Sequence, residues 1–146
     1  MCGARVYLAQ TDTTVGFVGP DAAALARAKG RSASRPMLKA LPEMRAISDL
    51  GRVPFVHRRR VRRAKASSFI LPNGRSFRVV VDGPHRELVA RLGGCYTTSA
   101  NRHGEGFDEA YAREAADVWV ETAEGYRQKP PSAIWRLGRK KAVRVR

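Results

Sequence analysis

Between Leu50 and Val81 the chain has no acidic residue, and there is none from Gly125 to Arg146. Nine basic residues fill the first stretch and eight the second. Outside them 11 basic and 13 acidic residues nearly cancel, so the formal charge of +15 belongs to two tracts and not to the chain as a whole. Such uncompensated tracts meet polyanions, and nucleic acid or nucleotide phosphate ranks ahead of a membrane surface. Long apolar runs are absent too: none approaches the roughly 20 residues that span a bilayer, and Met1 to Leu8 lacks the apolar core of a secretory signal. These absences lead to the expectation of a cytoplasmic protein with no membrane partner. Cysteine is scarce, and Cys2 and Cys95 stand too far apart for a Cys-x-x-Cys pair. His57, His85 and His103 show no ligand spacing, so neither a metal site nor a disulfide is expected.

What is present suits one ordinary domain, residues 1–146, with 43% apolar residues and hence enough material for a core. Short β-like runs alternate with short helical ones, the pattern of an α/β domain. Arg5 to Ala9 reads as a strand running into a polar loop from Gln10 to Gly16. Asp21 is a good N-cap behind Pro20, the alanine-rich run after it favours helix, and Gly30 is a natural stop. Further strands are expected at 37–41, 68–71, 77–81, 95–98, 118–120, 134–137 and 142–145. Helices are expected at 43–50, 84–92 and 107–116, with turns at Pro72-Asn73-Gly74 and Pro130-Pro131.

Three polar sets fall where open α/β sheets build ligand sites, at the ends of strands or helices. They are Thr11-Asp12-Thr13, Lys29-Gly30-Arg31, and Thr97 to Asn101 followed by Gly104. Lys29 and Arg31 offer fixed cations. Ser99 and Asn101 lie two apart, which on an extended segment puts both side chains on one face, able to donate to phosphate or ribose oxygens.

In this order the elements resemble the YrdC-like family of threonylcarbamoyl-adenylate synthases, in a shortened form, from Val6 to about Arg146. Gln10-Thr11-Asp12-Thr13 with Gly16 stands for the family's Pro-Thr-Asp/Glu-Thr loop, and Lys29 and Arg31 for its Lys-x-Arg element. Pro36-Met37, Arg78-Val79, Thr98 to Asn101, and Pro131-Ser132-Ala133-Ile134 follow in the family's order. Gln10 replaces the usual proline, Val15 an aromatic and Ala40 a histidine, while the family's Trp-Pro-Gly-Pro-x-Thr stretch is reduced to Arg63 to Ser67.

The resemblance implies a single-domain twisted open mixed sheet flanked by helices, with a concave basic cleft. It implies a nucleotidyltransferase that makes threonylcarbamoyl-AMP and pyrophosphate from L-threonine, bicarbonate and ATP, with Mg²⁺, for tRNA modification beside other proteins of that process. Lys29, Arg31, Ser99 and Asn101 would be catalytic and bind ATP. Thr11, Arg78 and Ser132 would hold threonine, and Arg144 or Arg146 would reach the nucleotide.

The tract Arg58, Arg59, Arg60, Arg62 and Arg63 reads either as a solvated helix face or as a phosphate-contacting patch for tRNA or double-stranded RNA. A non-catalytic RNA-binding relative is accordingly the alternative to the enzyme. Trp119 and Trp135 read as core, Cys95 as a small buried residue, and His85 and His103 as loop residues.

Overall fold

The computed structural model describes residues 4–146, and Cys2 lies outside them. The elements run β1 (Tyr7–Gln10), β2 (Val15–Gly19), α1 (Ala22–Lys29), β3 (Leu38–Leu41), α2 (Arg58–Arg63), β4 (Ser67–Ile70), β5 (Ser76–Val79), α3 (Gly83–Arg91), β6 (Cys95–Ser99), α4 (Glu109–Ala115), β7 (Val118–Val120), β8 (Ala133–Leu137) and β9 (Ala142–Arg144). Two 3₁₀ segments, Met44–Asp49 and Phe55–His57, precede α2. The chain divides into two compact units, Met1–Met37 with Cys95–Pro130 and Leu38–Gly94 with Pro131–Arg146. Among the described residues no helix is long and apolar enough to cross a membrane.

In the first unit the strands lie in the order β7-β1-β2-β6. β2 is antiparallel to β1 and β6, and β7 is parallel to β1. The polar loop is shorter than the sequence suggests, because Thr11 folds it: its hydroxyl donates to the Thr14 carbonyl at 2.5 Å and accepts the Thr13 N–H at 3.1 Å. Val15 therefore already belongs to a wholly buried strand. The two glycines that disguised β2 have a steric reason. A Cβ on Gly16 would stand 2.9 Å from Thr11 Cγ2, and one on Gly19 would stand 2.6 Å from the Arg5 carbonyl.

α1 begins and ends where its caps require. Asp21 Oδ1 accepts the Ala23 N–H at 3.0 Å, and Gly30 takes the left-handed conformation at φ 70°. The helix lays Ala24 and Leu25 into a core with Leu8, Val15, Phe17 and Ala112. Leu8, Phe17 and Leu25 are fully buried, each adding about 1.5–3 kcal/mol of apolar transfer.

The second unit has strand order β3-β5-β4-β8-β9. Its pairs alternate: β3 with β5 parallel, β5 with β4 antiparallel, β4 with β8 parallel and β8 with β9 antiparallel. The Asn73-Gly74 turn, with Gly74 at φ 84°, joins β4 to β5. Val61 of α2 packs into a core with Ile47, Phe69, Phe77 and Leu137.

Three expectations need correction. The segment expected as a helix at 43–50 is 3₁₀, with no side-chain cap on its Glu43 end to hold a longer α-turn. His85 is not in a loop but buried within α3. Trp119 is not core: it is 52% exposed, with its indole N–H donating to the Arg113 carbonyl at 2.8 Å and the Arg113 guanidinium 4.8 Å from its ring centre. Period-two alternation in β7 turns Val118 and Val120 inward and leaves Trp119 on the outer face. Trp135 is half-buried and does pack against a core, and Cys95 is buried as expected.

Candidate phosphate-binding site

Lys29 occupies the last turn of α1 and is only 5% exposed. Its ammonium donates to Ser99 Oγ at 2.9 Å, Asn101 Oδ1 at 2.9 Å, the Ser99 carbonyl at 3.0 Å and the Asn101 carbonyl at 3.4 Å. All four acceptors are neutral. Burial, with Arg31 nearby adding repulsion, pulls the Lys29 pKa down from 10.5 to about 8. A cation held this way retains an unneutralised charge, and an anionic ligand is what the cage lacks.

Local structure explains how Ser99 and Asn101 come to share one lysine. β6 pairs Ser99 with Gly16, the Ala100 N–H donates to the Val15 carbonyl at 2.9 Å, and the chain bends immediately afterwards. Asn101 then stays fixed because its Nδ2 donates to the Glu105 carbonyl at 2.6 Å and to the Arg102 carbonyl at 3.1 Å. The His103 N–H closes the loop onto the Lys29 carbonyl at 2.9 Å. The C-terminal end of α1 carries the negative pole of its dipole, so attraction for an anion must come from Lys29 and Arg31 themselves. Arg31 has a buried Nε without a partner. Its Nη2 donates to the Pro36 carbonyl at 3.4 Å and approaches Met37 Sδ at 3.3 Å.

The structure thus brings Lys29, Ser99 and Asn101 together and sets the Thr11 loop beside β6 through Gly16. The Thr11 hydroxyl is buried and committed to the turn described above. The remaining expected residues belong to the second unit. Arg78 is buried in β5 beside Ala40 of β3. Ser132 is buried, with its hydroxyl 2.9 Å from that of Ser68, a partner the sequence did not single out. Only the parallel register of β4 on β8, Ser68 opposite Ile134, brings it there. Of the two late arginines, Arg146 reaches the Ser132 carbonyl, to which its Nε and Nη2 each donate at 3.2 Å. Arg144 is exposed and donates from Nε to the Arg146 carbonyl at 3.1 Å. Arg58, Arg59, Arg60, Arg62 and Arg63 form α2 and are all exposed. Among the described residues no group of His, Cys, Asp or Glu could hold a metal ion.

No family model and no curated protein matches the sequence. Solved structures do match. P. abyssi Sua5 carrying two substitutions is 17% identical, with TM-score 0.82 over 97% of this chain and 52% of that one. P. abyssi Sua5 complexed with L-threonine is 15% identical, with TM-score 0.78 over 97% of this chain and 50% of that one. E. coli YciO is 17% identical, with TM-score 0.76 over 98% of this chain and 82% of that one. HypF in a phosphate- and nucleotide-bound form is 13% identical, with TM-score 0.71 over 97% of this chain and 26% of that one. This chain therefore spans about half the length of the matched Sua5 chains. At these identities the likeness establishes the fold, and it is the YrdC-like α/β fold that the motif order implied.

Proposed function

We propose that the chain is an L-threonylcarbamoyladenylate synthase, with the Lys29 cluster as its polyphosphate-binding site. The observation that carries this reading is the buried Lys29 ammonium, caged by Ser99 and Asn101 without an acid. Among structures of the same fold, one Sua5 holds L-threonine and one HypF holds phosphate and nucleotide, which supports small-molecule chemistry on this scaffold.

In the proposed reaction the threonine amine and bicarbonate give a carbamate and water. A carbamate oxygen then attacks the α-phosphorus of ATP, and the bond to the pyrophosphate oxygen breaks. Negative charge grows on the phosphoryl group and on the departing pyrophosphate, so the protein's task is to position reactants and supply preset positive charge. Lys29 and Arg31 are suited to that, and Ser99 and Asn101 hold Lys29 in place; of the two it is the Ser99 hydroxyl that is able to donate as well, because the Asn101 amide is already used within its own loop. Within the second unit Arg78, whose guanidinium can grip a carboxylate through two parallel hydrogen bonds, and Ser132 are proposed for threonine. The Thr11 hydroxyl is already used inside its turn, so any part it plays falls to the backbone of that loop. Magnesium would arrive with the nucleotide phosphates, given the absence of a carboxylate cluster among the described residues. The product would pass to other tRNA-modification proteins, in the cytoplasm.

Incubating the protein with ATP, Mg²⁺, bicarbonate and threonine, with product identification by mass spectrometry, tests the proposal. Threonylcarbamoyl-AMP and equimolar pyrophosphate are expected. A folded protein that yields neither would overturn it. One observation favours the second reading, an RNA-binding protein without turnover: the second unit holds 19 basic and 4 acidic residues, against nine of each in the first. RNA binding with no adenylate formed would select that reading.

A further inference from the structure

The second unit holds a groove that the Lys29 site does not use. It is an open trough of about 660 Å³ bounded by the 3₁₀ segment Met44–Asp49, the residues from Gly51 to Val53, and α2. Its floor is apolar. Ile47 and Val53 are buried members of the core beneath α2, and half-buried Met44 packs against them. Its rim is cationic, with exposed Arg45, Arg52, Arg58 and Arg62. Glu43 reaches Arg45 at 3.1 Å, and the Arg58 Nε donates to the Val53 carbonyl at 3.4 Å. Among the described residues no acid lines the groove, and Arg52 and Arg62 have neither an ion-pair nor a hydrogen-bond partner. Arg60, by contrast, is taken up by Trp135 of β8, its guanidinium 4.5 Å from the ring centre.

Beside the groove two apolar side chains stand in solvent: Phe55 is 81% exposed and Val56 61%. Their segment is anchored at both ends. Val53 is buried before them and His57 after them, with His57 Nε2 2.8 Å from the Gly138 carbonyl of the β8–β9 turn. The Phe55 ring adjoins the rim through Arg58, whose guanidinium lies 5.6 Å from the ring centre. A turn pinned on either side that still presents a phenylalanine and a valine outward adds nothing to the core, and such an exposed pair beside a groove marks a contact surface.

We infer that this groove docks an acidic segment of a partner protein, with one apolar side chain seated on Met44, Ile47 and Val53 and neighbouring carboxylates on Arg52 and Arg62. Phenylalanine, methionine and arginine are the residues in which the centres of protein interfaces are rich. Guanidiniums grip carboxylates through two parallel hydrogen bonds, and the empty rim supplies the charge that an acidic segment complements. A small molecule fits less well, because a trough open along its rim cannot enclose one. A nucleic-acid backbone offers no apolar body for the floor, and a flat lipid surface would meet the rim and leave the floor empty. The inference is independent of the reaction proposed for the first unit.

The probe is a fluorescein-labelled peptide of about 12 residues, rich in glutamate with two leucines one helical turn apart, titrated with the full chain and read by anisotropy. Control peptides with serine for leucine, or glutamine for glutamate, should each bind roughly tenfold more weakly. S48W fills the groove from an exposed lining position without altering charge. It should weaken the peptide roughly tenfold and leave the affinity for an RNA hairpin unchanged. R52Q/R62Q should weaken the peptide to a similar extent, and F55A about fivefold. R5Q/R127Q removes two charges from the first unit and should have no effect. No peptide binding, equal affinity for the serine control, or indifference to both S48W and F55A would overturn the inference. So would S48W weakening the hairpin as much as the peptide, which makes the groove a nucleic-acid contact, or self-association in light scattering that S48W abolishes, which puts a second copy there. All substituted side chains are exposed, and far-ultraviolet circular dichroism of each variant checks that folding is retained.

Discussion

Replacing Lys29 with methionine separates a functional lysine from a structural one. The substitution keeps most of the buried stem and removes the charge. Four contacts of 2.9–3.4 Å are lost, yet Ser99 and Asn101 are only half-buried, so water can take over their oxygens at a cost of about 1 kcal/mol each at most. Against that, folding no longer has to desolvate an ammonium without an anion, a gain of comparable size. The net stability change should lie within about 1–2 kcal/mol, whereas pyrophosphate release should fall about 10²–10³-fold, the effect of losing one preset group at the developing charge. The pH dependence supplies a second readout. Lys29 releases its proton near pH 8 when folded and near 10.5 when unfolded, so between those values the unfolded chain holds the extra proton and stability rises with pH. The slope from this one group is at most about 1.4 kcal/mol per pH unit. Urea denaturation of wild type and K29M across that window should show the rise in wild type alone. Parallel pH profiles, or a K29M protein that unfolds readily while its folded fraction keeps full activity and ATP affinity, would refute the reasoning.

Gly16→Ala should destabilise the protein by about 1–3 kcal/mol and lower activity, because the new methyl meets Thr11 Cγ2 at 2.9 Å and the Thr98 carbonyl at 3.1 Å; thermal melting and turnover together check it. Asp21→Ala removes the α1 cap and should cost about 1 kcal/mol, read as a drop of about 3 °C in Tm, with activity of the folded protein retained. Asn101→Ala should reduce ATP affinity more than Ser99→Ala does, since Asn101 both holds Lys29 and pins the 101–105 loop; calorimetric titration with ATP gives the comparison. His57→Ala should cost about 1–2 kcal/mol in urea denaturation by freeing the β8–β9 turn, with ATP binding unaffected.

Much of this was legible because the relevant signals are local. Asp21 and Gly30 bracket α1 by capping chemistry, whereas Ser99 and Asn101 come to share Lys29 through the bend that follows β6 and not through the extended spacing read from the sequence. What escaped depends on tertiary pairing. β2 is hidden by glycines whose reason is Thr11 and Arg5 across the hairpin. Trp119 looked like core until its place in β7 turned it outward, and no local pattern links Ser68 with Ser132. The division of charge is the clearest case. The sequence displayed two basic tracts far apart, and only the fold shows both contributing to one unit, joined through His57 and Arg60, while the first unit is neutral.

In the proposed function the Lys29 cluster serves attack on the α-phosphorus of ATP. The most direct test is exchange of labelled pyrophosphate into ATP. Exchange is expected to require threonine and bicarbonate together and to be abolished by K29M. Exchange indifferent to K29M, or none at all from folded wild-type protein supplied with both co-substrates, would contradict it.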